Sequence, residues 1–281
     1  MILGFDNIFD IHRFSDQLFI FFYYNQDMAR KARSFRVEAI VLRHRELGEA
    51  DRILTVYTRE RGKLSVLAKG IRKLHSRKAG HVEPFTRVEL QVARGKSLYI
   101  LTQAEALDNY ENLRGGLDMF GYASYVVELM DKFTLDEGEG QMITYRLLRE
   151  TLERLNGGDD PMLVLRYFEM HLLDMMGFKP ELNYCVVSGK EIVPEDQYFS
   201  AERGGVVSPG KQGGLELVTA IQMDTLRYMR HFQRSVYGDV LRAKIDGWVM
   251  QEFEMLMQGY ITHILERSLN TPRFMRNVRK K

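Results

Sequence analysis

The chain has 281 residues, enough for two domains of ordinary size, and its single cysteine, Cys185, excludes an intrachain disulfide and fits a reducing compartment. The net charge is only +2, but residues 28–100 carry 18 Lys and Arg against 7 Asp and Glu, and residues 61–80 contain no acid. This distribution is typical of a domain that meets a polyanion. No apolar run approaches the roughly 20 residues that a membrane-spanning helix needs, so no membrane contact is expected.

Residues 1–27 differ from the rest of the chain. They carry 1 basic side chain against 4 acidic ones and include an aromatic run over residues 18–24. An acidic start without a small-residue cleavage site does not fit a signal peptide. Because Met28 opens a conventional sequence, we expect Met28 to be the biological start and residues 1–27 to be an upstream extension.

Residues 34–106 contain five runs in which apolar and polar residues alternate, the pattern of β-strands. The runs are FRVEAIVLRHRE, DRILTVYTRE, GKLSVLAKG, EPFTRVELQVA and SLYILTQAEA. Alternation puts Val37, Ala39 and Val41 on one face of the first run, and Leu64, Val66 and Ala68 on one face of the third. Five short strands within about 70 residues predict an OB-fold barrel, assigned to residues 28–107.

After Tyr110 the apolar period changes to that of helices. Apolar faces predict helices over residues 119–130, 143–155 and 164–176, with helical spacing again near Thr219 and through 241–264. The acids Asp159 and Asp160 and the following Pro161 give the start signal of the third helix. Residues 181–217 are glycine-rich and without period, and the tail 271–281 is basic. The predicted fold class is therefore α+β: the barrel, then an all-α domain over 108–281 with an inserted loop.

No pattern in the sequence supports catalysis. The seven histidines form no metal-binding motif, and neither phosphate-binding glycine motif occurs. A metal-dependent nuclease would need several carboxylates near the basic surface, yet Glu49 and Asp51 are the only close acidic pair there. We interpret these two as partners of Arg52 or as turn formers, and we predict that the protein is not an enzyme.

A binding function fits the residues better. OB-fold barrels bind single strands through a positively charged groove and aromatic rings on which bases stack. The candidate rings are Phe35, Tyr57, Phe85 and Tyr99, although alternation turns at least half of such rings inward. The candidate phosphate contacts, assigned by charge and strand position, are Arg43, Arg45, Arg52, Lys69, Arg72, Lys73, Arg77 and Lys78. Composition alone does not separate DNA from RNA, so an RNA-binding OB-fold module stays open.

Cys185 lies in a spacing that resembles a degenerate zinc site. Cys185 and Ser188, then Ser208 and Lys211, have the spacing of two paired Cys-x-x-Cys turns in which three ligands are replaced. A structural zinc site normally needs four thiolates or imidazoles. We therefore predict a metal-free knuckle with a buried cysteine, and no cofactor.

Three segments of the chain resemble the bacterial RecO family of recombination mediators. They are EAIVLRHRELGEADRILTVYTRERGKLSVLAKGIRKLHSRKAGHVEPFTRVEL at 38–90, RYFEMHLLDMMGFKPELNYCVVSGKEI at 166–192 and YFSAERGGVVSP at 198–209. The resemblance implies an amino-terminal OB-fold and a helical domain carrying the knuckle, where many relatives have four cysteines. It also implies a bacterial cytoplasmic protein that acts in recombinational DNA repair without bond chemistry.

The resemblance further implies partners. Proteins of this family bind single- and double-stranded DNA, anneal complementary strands and contact the tail of the single-strand-binding protein. With RecR and RecF they let RecA load onto coated strands. We expect RecR on the barrel and the acidic tail in a groove between helices, at Leu172, Met175 and Met176 with Arg166 or Lys179 on its rim.

Overall fold

The computed structural model describes residues 34–138, 142–266 and 271. The predicted extension 1–27 lies outside the described residues, as does the basic tail beyond Thr271.

The amino-terminal region is a closed five-stranded barrel in the order β1-β2-β3-β5-β4, in which β4 returns to pair with β1. Its strands are β1 (Ser34–Leu47), β2 (Asp51–Thr58), β3 (Gly62–Ala68), β4 (Arg87–Arg94) and β5 (Tyr99–Asp108). Neighbouring strands are antiparallel except β3 and β5, which run parallel. The predicted OB-fold is confirmed, and the apolar faces predicted for the first and third runs fill the barrel interior.

A helical region follows the barrel. Its helices are α1 (Leu117–Phe133), α2 (Met142–Gly157), α3 (Pro161–Met175), α4 (Met223–Arg234), α5 (Tyr237–Leu241) and α6 (Gly247–Ile264). Helix α3 lies centrally and contacts the other five helices. It begins where the sequence predicts, because the Asp160 carboxylate accepts a hydrogen bond from the Met162 N–H and Pro161 occupies the first turn.

The second domain is not all-α. A small antiparallel sheet in the order β7-β6-β8 lies in and directly after the predicted irregular insertion, formed by β6 (Gln197–Ser200), β7 (Gly205–Val207) and β8 (Val218–Ile221). Thr219, where helical spacing was expected to return, lies in β8, and α4 begins only at Met223. These strands have only three or four residues, too few for alternation to be distinguished from irregular sequence.

The two domains share an apolar interface. Ile40 and Leu42, on the outer face of β1, join the core cluster of the helical domain. Polar contacts flank this interface: Arg43 pairs with Asp131 of α1 at 2.7 Å, and the Tyr145 hydroxyl of α2 donates to Glu38 of β1 at 3.0 Å. The helical domain therefore fixes which outer surface of the barrel stays exposed.

None of the helices within the described ranges is both long enough and apolar enough to span a lipid bilayer.

Candidate nucleic-acid interface

The residues that join β3 to β4 begin with a basic loop, which we define as residues 69–78. The Gly70 N–H donates to the Asp51 carboxylate at 2.7 Å, and the Arg72 N–H donates to the Ala50 carbonyl at 2.9 Å. Gly70 has φ 63°, a left-handed conformation that glycine adopts without strain. The basic loop is therefore attached to the β1–β2 hairpin, and Asp51 acts as a structural acceptor.

Four of the predicted cations are exposed and form no ion pair with the residues that the structure describes: Arg45, Lys69, Lys73 and Arg77. Three of them belong to the basic loop. A cation without a carboxylate partner is available to neutralise a phosphate and release the counterions condensed on it. These four side chains therefore form the strongest part of the candidate interface.

The other predicted cations make internal contacts. Three pair with carboxylates: Arg43 with Asp131 at 2.7 Å, Arg52 with Glu83 at 3.1 Å and Arg72 with Glu46 at 3.2 Å. Lys78 donates to the Leu101 carbonyl at 3.4 Å. These ion pairs could not be predicted from the sequence, because Asp131 and Glu83 lie far along the chain from Arg43 and Arg52. Positive charge on this side of the barrel is therefore partly neutralised.

The basic loop also borders a polar pocket. Arg77 and Lys78 line a cavity of about 380 Å³ on the outer face of β1, β4 and β5, whose other lining side chains include Gln91, Gln103 and Glu105. The basic loop therefore extends from the β1–β2 hairpin to the outer face of β4 and β5.

Two of the four candidate stacking rings are buried. Tyr57 and Phe85 are 0% and 1% exposed and belong to the core cluster shared with the helical domain, so the prediction is wrong for them. Phe35 and Tyr99 are partly exposed and pack edge to face, with ring centroids 5.2 Å apart. The Arg61 guanidinium lies 4.2 Å from the centre of the Phe35 ring. Only these two rings remain candidates for base stacking.

Strand β2 offers no binding face. OB-folds commonly bind ligands over strands 2 and 3, but every residue from Ile53 to Thr58 is buried. The exposed candidate cations without an ion pair among the described residues lie instead at the end of β1 and on the basic loop. Sequence could not predict this, because the alternation of β2 does not tell which element covers its outer face.

The predicted groove for an acidic tail is not formed as expected. Arg166 and Leu172 are each 1% exposed, because α3 is surrounded by other helices. Met175 is 38% exposed and Met176 partly buried. Lys179 is exposed but pairs with Asp174 at 3.0 Å. The prediction is therefore corrected for Arg166 and Leu172, which are core residues, and only the end of the helix stays accessible.

Arg166 belongs to a buried polar cluster. Its guanidinium contacts Glu169 at 2.6 Å, and the Tyr125 hydroxyl donates to the same carboxylate oxygen at 2.6 Å. Burial raises the pKa of Glu169 to about 7, and the neighbouring Arg166 charge and the Tyr125 hydrogen bond only partly oppose this increase. These contacts indicate that Arg166 neutralises the buried Glu169 carboxylate.

The knuckle turns come together around Cys185, which is 1% exposed. Its sulfur accepts hydrogen bonds from the Ser188 N–H at 3.5 Å and the Ser208 N–H at 3.3 Å. Burial raises the pKa of the thiol, but hydrogen bonds from Ser188 and from backbone N–H groups outweigh it and lower the pKa to about 6. The two serines and the ammonium of Lys211 are unsuitable zinc ligands, so this donor set does not fit the metal.

No cluster of three or more His, Cys, Asp or Glu side chains able to hold a metal ion occurs within residues 34–138 and 142–266.

Comparison with known proteins assigns both domains. Residues 31–110 match the family model described as Recombination protein O N terminal, and residues 114–273 match that described as Recombination protein O C terminal. A DNA repair protein RecO of Roseiflexus sp. (strain RS-1) is 37% identical over 248 residues, which cover 88% of this chain and 87% of the relative. One from Symbiobacterium thermophilum is 34% identical over 251 residues, covering 87% and 98%. The chain belongs to the RecO family of DNA repair proteins.

Proposed function

We propose that this protein is a recombination mediator that binds single- and double-stranded DNA through the basic loop and anneals complementary strands. With RecR and RecF it would help RecA to load onto strands coated by single-strand-binding protein. It performs no bond chemistry in this role. Annealing brings two polyanions together, and exposed cations that neutralise part of both lower the repulsion between them.

One observation carries the proposal. Within an acid-free stretch of 20 residues, the basic loop exposes Lys69, Lys73 and Arg77 without an ion-pair partner among the described residues. Loop backbone contacts to the β1–β2 hairpin hold these cations on a defined surface of the barrel. Phosphate contacts made in this way fix position without reading sequence, which suits a protein that leaves strand matching to base pairing.

The test is annealing of two complementary DNA strands, each pre-coated with single-strand-binding protein. We expect the purified chain to accelerate duplex formation. We also expect the chain together with RecR to help RecA load onto the same coated strands. A generic RNA-binding OB-fold module has no reason to act on coated DNA. The proposal would be contradicted if the chain accelerates annealing neither of bare strands nor of coated strands.

For the acidic tail of the single-strand-binding protein, we propose the accessible end of α3. Met175, Met176 and Lys179 keep the apolar and basic character that such a peptide needs, and Phe178 beside them is 42% exposed. RecR is expected on the barrel. Binding of a tail peptide to the full chain, compared with its Lys179→Glu variant, tests the tail site, and equal affinity would exclude it.

We further propose that the knuckle is held by hydrogen bonds and apolar packing without zinc. A Cys185→Ala substitution removes the acceptor of the Ser188 and Ser208 N–H groups and leaves a small cavity, so we expect it to cost about 1–3 kcal/mol of unfolding free energy. Denaturant titration measures this loss. A chelator is expected to leave the thermal midpoint unchanged. One zinc ion per purified chain, or a midpoint lowered by chelation, would contradict the proposal.

A further inference from the structure

Leu74 lies at the tip of the basic loop. The Ser76 N–H donates to the Lys73 carbonyl at 2.9 Å, which closes a turn with Leu74 and His75 at its two central positions. Leu74 is 94% exposed, the highest fraction among the large apolar side chains within the described part of the chain. The turn therefore presents an aliphatic side chain to solvent.

A leucine at this position conflicts with local preference. Central positions of turns favour Gly, Pro, Asn, Asp and Ser, whose backbone or side chain suits the turn. A single exposed leucine is ordinary on a protein surface and carries little weight by itself. Leu74 differs because cationic side chains, among them Lys73 and Arg77, flank it on the same loop. Departures from local preference are expected mainly where function requires them.

The charges around Leu74 indicate what it contacts. Cations that bind phosphates bring the backbone of a strand to the loop, which places the bases next to the tip. Several DNA-binding proteins insert Leu, Ile, Met or Phe between neighbouring bases and unstack them. We propose that Leu74 inserts between adjacent bases of the bound strand and unstacks them. This inference rests on the proposed binding of DNA by the basic loop.

Insertion would help annealing without sequence preference. Leucine has no side-chain donor or acceptor, so it separates bases without reading them. Unstacked bases are available to a complementary strand. A basic loop with an apolar tip would also suit an anionic lipid surface, but stable membrane binding takes more apolar contact than one leucine provides. Nucleic acid is therefore the occupant that the observations favour.

The test uses single-stranded DNA with 2-aminopurine at one internal position, whose fluorescence rises when the base is unstacked. At saturating protein, the wild-type chain is expected to raise the fluorescence at least about twofold, and Leu74→Ala to lose more than half of that rise. Leu74→Ala should keep its affinity within about threefold of wild type, since the phosphate contacts remain. Leu74→Met should retain most of the rise.

Leu135 supplies a matched control. It is 88% exposed but lies outside the basic loop, beside Asp136 and Glu137, which pair with Lys63 and Arg61, so Leu135→Ala should leave the fluorescence unchanged. An equal rise for wild type and Leu74→Ala would overturn the insertion while leaving DNA binding intact. No DNA binding by wild type would overturn both proposals. The insertion proposal would also be overturned if the chain binds phosphatidylglycerol vesicles, Leu74→Ala abolishes that binding, and 2-aminopurine fluorescence is the same for both proteins. That result would assign the tip of the loop to membranes.

Discussion

Replacing Lys69, Lys73 and Arg77 together by alanine is expected to weaken binding of single-stranded DNA on the order of 100-fold at low salt. All three side chains are exposed and form no ion pair within the described residues, so each can neutralise a phosphate. Three lost phosphate contacts should reduce the slope of log K against log salt by about 2, at roughly 0.7 per contact on a single strand. Fluorescence anisotropy across a salt series measures both quantities.

The matched control removes the same charge from the other domain. Arg203, Arg227 and Arg242 are exposed and sit in surface ion pairs of the helical domain, so replacing them by alanine changes net charge equally. We expect the control to bind nearly as wild type, with its slope unchanged. Equal weakening by both triple variants would show that net charge alone matters, and would contradict a localised interface.

Replacing Arg166 by methionine is expected to destabilise the protein by about 3–5 kcal/mol at pH 8, because the buried Glu169 must then either stay charged without an opposite charge or bind a proton well above its ordinary pKa. Arg166 and Glu169 are 1% and 0% exposed, and their contact is 2.6 Å long. Urea titration measures the loss. The double variant Arg166→Met with Glu169→Leu removes both charges and should recover most of the stability.

The loss should depend on pH with a definite sign. Burial already raises the pKa of Glu169 to about 7, and removing Arg166 raises it further. A carboxyl whose pKa is higher in the folded state favours folding when protonated, and this contribution disappears as pH rises through its folded pKa. Arg166→Met should therefore be less destabilising at pH 5 than at pH 8. A loss below about 1 kcal/mol at pH 8 would contradict the structural role of this ion pair.

Much of the barrel could be predicted from the sequence. Alternation at Val37, Ala39 and Val41 identified the inward face of β1, because a strand with one face in the core repeats every two residues. The start of α3 could also be predicted, because Asp160 and Pro161 act on the backbone of the first turn next to them. Features determined by neighbouring residues in the chain were therefore predictable.

Features determined by distant contacts were not. The burial of Tyr57 and Phe85 depends on the helical domain packed against the barrel. Arg43 forms an ion pair with Asp131, which lies 88 residues away in the sequence. The sequence placed Arg166 on a helix as a basic rim residue. In the structure that helix is central, and Arg166 is buried in an ion pair with the Glu169 carboxylate. A charge on a helix or strand does not reveal whether tertiary packing covers it, so the candidate site was only partly predictable.

The most direct measurement is lysine footprinting of the full chain with and without single-stranded DNA, using an acetylating reagent and mass spectrometry. Lys69 and Lys73 of the basic loop and Lys190, Lys211 and Lys244 of the helical domain are all exposed, so each reacts in the absence of DNA. We predict that DNA protects Lys69 and Lys73 and leaves Lys190, Lys211 and Lys244 reactive. Protection of the helical-domain lysines, with unchanged reactivity at Lys69 and Lys73, would contradict binding by the basic loop.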